Sequence, residues 1–222
     1  MTKSRVLVIL SLCSGFGIPN GLKFERDSMT INKMLEIRWH ARGGQGAKTV
    51  AEFLALVALH EGKYSQGFPE YGPERAGAPI KGYTRVSVDP IRVHSAIYHP
   101  DVVVVLDPGL LGLPEVGEGI GEKTTVVVNT TASPSKLVSE HKYLAGKNLW
   151  TVDASGISHE EIGRPIPNMP MLGALVRASE VVKLDGVLEN IKREFSRKFA
   201  PKILEGNLKA VRRAFEEVRR QD

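Results

Sequence analysis

Leu35, Ile37 and Trp39 alternate with Glu36, Arg38 and His40, the two-residue period of a strand with one buried face. Directly after it, Val50, Ala51, Phe53, Leu54, Val57 and Ala58 predict a helix from Ala47 to His60. That helix is apolar on nearly every side, which predicts cover both by the sheet and by a second body such as another subunit. Three later runs, DVVVVLD at 101–107, TTVVVN at 124–129 and LWTVD at 149–153, are short and rich in β-branched residues. Continuous apolar runs of this length predict strands covered on both faces, as in a parallel sheet flanked by helices. Each run ends on a polar residue, Asp107, Asn129 or Asp153. These positions either line the crevice at the carboxyl ends of the strands or cap the next turn or helix.

The stretch IKGYTRVSVDPIRVHS at 80–95 reads as two strands around Asp89-Pro90, a hairpin that makes the sheet mixed. Ser133 before Pro134 marks a helix start, and Ser158 with Glu161 has the spacing of a capping box. From Asp185 to the end the chain reads as helical and charged, with Phe195, Phe199, Leu204, Leu208, Val211, Phe215 and Val218 apolar. The expected fold is a single three-layer α/β/α domain over 34–222, with a mostly parallel, mixed sheet and a C-terminal helical segment. Residues 1–33 are expected to lie outside it. Their segment KSRVLVILSLCSGFGIPN has the basic, apolar, small order of a weak secretory signal, but its apolar run is too short to span a bilayer. We read it as an N-terminal extension ahead of a start at Met29 or Met34, in preference to a targeting segment.

Composition narrows the chemistry. A chain of 222 residues that is 42% hydrophobic can bury one sizeable core. Cys13 is the single cysteine, which excludes a disulfide within one chain and a cluster held by several cysteines. The net charge of +5 is scattered among acidic residues except near the C-terminus, and aromatics are 6% of the chain. That balance fits a solvated basic surface, or one facing an acidic partner, better than a nucleic-acid platform. The six histidines show no metal-ligand spacing, and no serine–histidine–acid set or paired carboxylates stand out. No catalytic or metal-binding residue is expected on this chain.

Two stretches carry more specific content. In Arg42-Gly43-Gly44-Gln45-Gly46-Ala47-Lys48, glycines between a strand and a helix let the backbone turn tightly and offer N–H groups to an anion. Counting from Gly44 and Gly46, Thr49 stands where the dinucleotide fingerprint needs its third glycine, and Ala47 interrupts the Gly-Lys-Thr of a P-loop. An anion-binding turn and a plain, tightly packed strand-to-helix turn both fit. The second stretch, GFPEYGPERAGAPIKGYTR at 67–85, reads as a loop, with four glycines and three prolines. Its Tyr71, Glu74, Arg75 and Lys81 suit a fixed contact with a ligand or another chain, or else a surface connector.

Taken in order, RGGQGA at 42–47, FPEYGPERAGAP at 68–79, PDVVVVLD at 100–107 and PNMPMLGAL at 167–175 closely resemble the gamma subunit of the pyruvate:ferredoxin oxidoreductase (2-oxoacid:acceptor oxidoreductase) family. The resemblance runs from about Met34 to about Arg220. One departure is Ala76, where many members carry a larger or polar residue. The resemblance implies a cytoplasmic enzyme divided among alpha, beta, gamma and iron–sulfur (delta) subunits, with neither nucleic acid nor membrane as a partner. In such an enzyme thiamine diphosphate lies between alpha and beta, [4Fe–4S] clusters sit in cysteine-rich parts, and coenzyme A takes the acyl group. Pyruvate is the first expectation for the substrate and ferredoxin for the electron acceptor. No cofactor is expected on this chain alone. Arg42, Gly43, Gly44, Gln45, Gly46 and Lys48 are then expected near coenzyme A or thiamine diphosphate. Tyr71, Glu74 and Arg75 are expected to hold their loop against a neighbouring subunit, unless Glu74 and Arg75 form a local brace. The alternative is a stand-alone regulatory α/β protein that binds a nucleotide or coenzyme A.

Overall fold

In a computed structural model that describes residues 34–70 and 77–221, β1 (Leu35–Arg42) leads through four residues into α1 (Ala47–His60). The chain continues through β2 (Tyr64–Pro69), β3 (Pro79–Ser87), β4 (Val102–Val105), the short α2 (Pro114–Gly117) and β5 (Thr125–Asn129). Next come α3 (Pro134–Glu140), β6 (Asn148–Val152), α4 (Ala154–Ile162) and α5 (Asn168–Ser179). The last elements are α6 (Leu184–Phe195), α7 (Pro201–Glu217) and the two-residue β7 (Arg219–Arg220). The seven strands form one sheet in the order β2-β3-β1-β4-β5-β6-β7. β1, β4, β5 and β6 pair in parallel, while β3 is antiparallel to both its neighbours and β7 is antiparallel to β6. The sheet is thus parallel at its centre and mixed at both margins.

The larger core lies on one face. Ile37, Trp39 and Ala41 from β1, with Val102 and Val104 from β4, pack under α1, α5, α6 and α7. The indole of Trp39 donates to the Thr84 hydroxyl at 3.0 Å, and that hydroxyl donates to the Ala51 carbonyl at 2.9 Å. This chain satisfies two buried polar groups and ties the strand pair to α1. Phe53, Leu54 and Val57 on the outer side of α1 share their core with Met171, Leu172, Val187, Leu188 and Ile191. The second cover of α1 is therefore α5 and α6 of the same chain, and another subunit is not needed for it.

On the opposite face a smaller core, including Val103, Val105, Val126 and Val128, lies under Leu110, Leu111, Val116 and Leu137. Over β1 and β3 this face carries Glu36, Arg38, His40, Lys81 and Arg85. Arg38, 3% exposed, donates to His40 Nε2 at 2.9 Å and to the Val116 and Glu118 carbonyls at 3.1 and 2.6 Å. Arg85, 1% exposed, pairs with Glu36 at 2.8 Å and donates to the Ser95 carbonyl at 2.8 Å. The two guanidinium groups fasten the end of α2 and the segment after β3 across the sheet.

Burial, with repulsion from Arg38 and Lys81 added, pushes the His40 imidazole down to about 3. Its Nε2 accepts the Arg38 hydrogen bond, which assigns the proton of the neutral ring to Nδ1. Unfolded, the ring titrates near 6.5, so between those values the unfolded chain holds a proton that the folded chain refuses. Stability therefore falls as pH drops through this window, by up to about 1.4 kcal/mol per pH unit from this group. Urea midpoints of His40→Gln are expected to vary less between pH 6.5 and 5 than those of the parent. An unchanged slope contradicts this assignment.

Three local expectations fail. The segment after Ser87 is not a strand, because both edges of β3 are already taken by β2 and β1. The hairpin partner of β3 is β2. The stretch 67–85 is accordingly more strand than loop, and two of its glycines serve packing. A Cβ on Gly67 would lie 2.6 Å from the Ala51 carbonyl oxygen, and one on Gly82 would lie 3.2 Å from that of Ala47, so α1 rests on these bare positions. Ser158 lies inside α4, where its hydroxyl donates to the Arg164 carbonyl at 2.8 Å. The cap is Asp153, which accepts from the Gly156 N–H at 2.8 Å. The start at Ser133 is as expected, its hydroxyl accepting from the Lys136 N–H at 3.3 Å. The N-terminal extension lies outside the described residues.

Candidate functional site

The turn between β1 and α1 sits at the carboxyl edge of the parallel strands, the edge at which open α/β sheets take ligands. Gly44 and Gly46 have φ of 98° and 82°, left-handed values that cost side-chain-bearing residues about 1–2 kcal/mol. Gly46 is the N-cap of α1, and a Cβ there would fall 2.4 Å from the amide nitrogen of Asn168, the first residue of α5. The starts of two long helices thus meet at one glycine.

A set of backbone and side-chain contacts fixes the turn. The Gly43 N–H donates to the Ala78 carbonyl at 2.9 Å, and the Gly77 N–H donates to the Gly43 carbonyl at 3.2 Å. Gln45 folds back, its side-chain oxygen accepting from the Arg42 N–H at 2.8 Å and its amide donating to Asp107 at 3.0 Å. Asp107 also pairs with Arg42 Nε at 3.2 Å and accepts from the Gly109 N–H at 2.9 Å. Arg42 adds a bond to the Gly77 carbonyl at 3.2 Å. At the next strand end, Asn129 donates to the Leu106 carbonyl and the Ser155 hydroxyl, both at 2.8 Å. Asp107, Asn129 and Asp153 therefore all brace or cap their surroundings, and Asp107 is also the hub of the turn.

The electrostatics favour an anion at this place. No side chain caps α1, and its first turn holds no acidic residue. Its N-terminal N–H groups and dipole therefore have no side-chain cap among the described residues. Asp107 offsets much of the Arg42 charge, and Lys48 adds a second cation on the first turn of the helix. One turn further in, burial pushes the Glu52 carboxyl up against the pull of Lys48. Gly44 is exposed, and none of the described residues lies within 4 Å of a Cβ placed there, so among them the tip of the turn is open.

Of the residues singled out in the sequence, Arg42, Gly43, Gly44, Gln45, Gly46 and Lys48 come together here. Tyr71, Glu74 and Arg75 lie outside the described residues. The ends of their loop are fixed beside the turn: Gly77 and Ala78 bond Gly43, while Glu70 accepts from the Tyr83 hydroxyl at 2.9 Å and pairs with Lys81 at 3.5 Å. Sequence reasoning missed Asp107 as a member of the turn, and missed Gly77 and Asn168 altogether. The signal was present in the four quoted stretches, since each supplies one side of this place: Arg42 to Gly46, Gly77 and Ala78, Asp107, and Asn168.

The described residues contain no group of three or more His, Cys, Asp or Glu that could hold a metal ion. None of their helices is long and apolar enough to cross a membrane. The turn holds no nucleophile paired with a base. Its backbone N–H groups and Lys48 suit it to receive an anionic group.

A sequence model of the pyruvate ferredoxin/flavodoxin oxidoreductase family matches residues 36–217. The chain is 46% identical over 187 residues to pyruvate synthase subunit PorC of Thermotoga maritima, covering 84% of this chain and 96% of that one. It is 48% identical over 182 residues to the pyruvate/ketoisovalerate oxidoreductases common subunit gamma of Thermococcus kodakarensis, covering 82% and 96%. The fold matches the crystal structure of pyruvate oxidoreductase subunit PORC from Thermotoga maritima with a TM-score of 0.75 at 40% identity, over 86% of this chain and 99% of that one. With its sequence, its sheet and the four converging stretches in agreement, the chain belongs to the pyruvate ferredoxin/flavodoxin oxidoreductase family as a subunit of the gamma, PorC-like type.

Proposed function

We propose that the chain serves in the cytoplasm as the gamma subunit of a pyruvate (2-oxoacid):ferredoxin oxidoreductase built with alpha, beta and iron–sulfur (delta) subunits. The overall reaction joins pyruvate and coenzyme A to give acetyl-CoA and carbon dioxide, and passes two electrons to ferredoxin. Thiamine diphosphate and [4Fe–4S] clusters, held by the other subunits, supply the decarboxylation and electron-transfer chemistry. The contribution of this chain is to bind and orient. The uncapped start of α1 and the Lys48 ammonium receive a phosphate group, with coenzyme A the ligand whose charge fits best. Asp107 and Gln45 hold the turn in the shape that aims those N–H groups. Tyr71, Glu74 and Arg75 serve contact with a neighbouring subunit.

The observation that carries this reading is the convergence of the four family stretches on one open turn. The test is isolation of the chain from native lysate. We expect a thiamine-binding pair and an iron–sulfur subunit to come with it, together with 2-oxoacid-dependent reduction of a viologen dye. Recovery as a lone monomer that binds a nucleotide would overturn the reading and support the stand-alone regulatory alternative.

A further inference from the structure

The turn between α6 and α7 concentrates charge. Lys192, Arg193, Arg197, Lys198 and Lys202 face a single carboxylate, Glu194, within eleven residues, in a chain whose net charge is +5. Arg193 turns inward, donating to Asn190 at 3.0 Å and meeting His60. Lys192, Arg197, Lys198 and Lys202 are exposed.

Phe199 lies among these cations in the sequence and is 47% exposed. Its ring is held from behind: it packs edge-on to Phe195 with centroids 5.1 Å apart, and Phe195 packs on Phe53 of the core at 5.8 Å. The backbone is fixed as well, because the Lys198 and Phe199 N–H groups both bond the Phe195 carbonyl, at 3.0 and 2.9 Å, and Pro201 opens α7. A scattered exposed apolar residue is ordinary. A rigidly backed aromatic ring flanked along the chain by exposed cations has instead the composition of an interface anchor, with little side-chain entropy left to lose on docking.

We infer that this corner docks an acidic surface on another subunit of the same enzyme, with Phe199 entering an apolar socket and Lys192, Arg197 and Lys202 meeting carboxylates around it. The inference rests on the multi-subunit reading above, but not on the glycine turn. The corner abuts His60, the last residue of α1, while the turn lies at its first, about 20 Å away along the helix axis. Attraction between exposed charges is screened by salt, so an interface of this kind loosens as ionic strength rises.

The test is photo-crosslinking in the assembled enzyme carrying Phe199→p-benzoylphenylalanine, with the crosslinks mapped by mass spectrometry. The expected product joins residue 199 to an acid-rich segment of a different subunit. In Arg197→Glu/Lys202→Glu, this crosslink is expected to weaken at least several-fold, and the chain to leave the complex at half the sodium chloride concentration or less. Viologen reduction per assembled complex is expected to stay unchanged. Crosslinks to a neutral or basic segment, to a second copy of this chain or to added anionic lipid vesicles, or no crosslink at all, would overturn the inference. If the parent chain forms no complex, the multi-subunit reading fails first, and the inference fails with it. If the complex forms and turns over but residue 199 stays unlinked, the docking corner alone is refuted.

Discussion

Gly173→Ala is expected to destabilise the protein, although the same change at an open helix position stabilises by about 1 kcal/mol. Gly173 lies in the middle of α5, and a Cβ there would sit 2.2 Å from the Val211 carbonyl oxygen on α7. Backbone cannot step aside as a side-chain tip can, so any substituent pushes the two helices apart. Their separation would open the larger core, in which Leu172, Leu175, Ala210 and Val211 are buried together. Overpacking of this kind costs about 1–3 kcal/mol, and more where backbone is struck. Gly173→Val, with two further methyl groups, is expected at about 3 kcal/mol or beyond, which lowers Tm by about 6–12 °C for a chain of this size. Thermal melts of the two variants check the argument. A Tm for Gly173→Ala at or above the parent would show that α5 and α7 are not in backbone contact.

The second large effect is on function. Gly44→Val is expected to abolish activity or assembly while the isolated chain keeps its fold. Gly44 is exposed and a Cβ there meets none of the described residues within 4 Å, so the expected cost to folding is mainly the left-handed φ of 98°, about 1–2 kcal/mol. The same valine would stand on the turn two residues before the α1 N-cap, where the proposed ligand or partner would dock. Parental circular dichroism with viologen reduction down at least ten-fold is the expected pair of results. Normal turnover would remove the turn from any close role. Gly46→Val serves as the contrast: it meets Asn168 within the chain and is expected to damage folding as well.

The central strands, α1 and the start of α3 were legible because each is decided by local periodicity or by a cap a few residues away. The margins of the sheet were not. β2 reads YSQGFP and lies in a stretch whose glycines and prolines look like turn punctuation, yet Gly67 and Gly82 are bare because α1 presses on them. A turn signal and a close-packing signal are the same letter in the sequence. The false hairpin at 80–95 arose from β-branched residues that find no free strand edge, and edge availability is a property of the whole sheet. The second cover of α1 comes from α5 and α6, more than a hundred residues away, and periodicity cannot name a partner at that range. At the site, the glycines and both cations were visible. Asp107 was visible as a strand end but not as the hub, because its bonds to Arg42 and Gln45 span more than sixty residues.

If the turn between β1 and α1 holds an anionic group of coenzyme A in the assembled enzyme, Lys48→Met should weaken coenzyme A binding and leave that of pyruvate untouched. The substitution keeps the length of the side chain and the helix start while removing one positive charge. A charge-assisted contact of this type contributes about 1.5–3 kcal/mol, equivalent to roughly a 10- to 100-fold change in binding. Steady-state kinetics of the reconstituted enzyme should show the KM for coenzyme A raised at least ten-fold and the KM for pyruvate within two-fold of the parent. An unchanged KM for coenzyme A, in an enzyme that still assembles and turns over, would contradict the account.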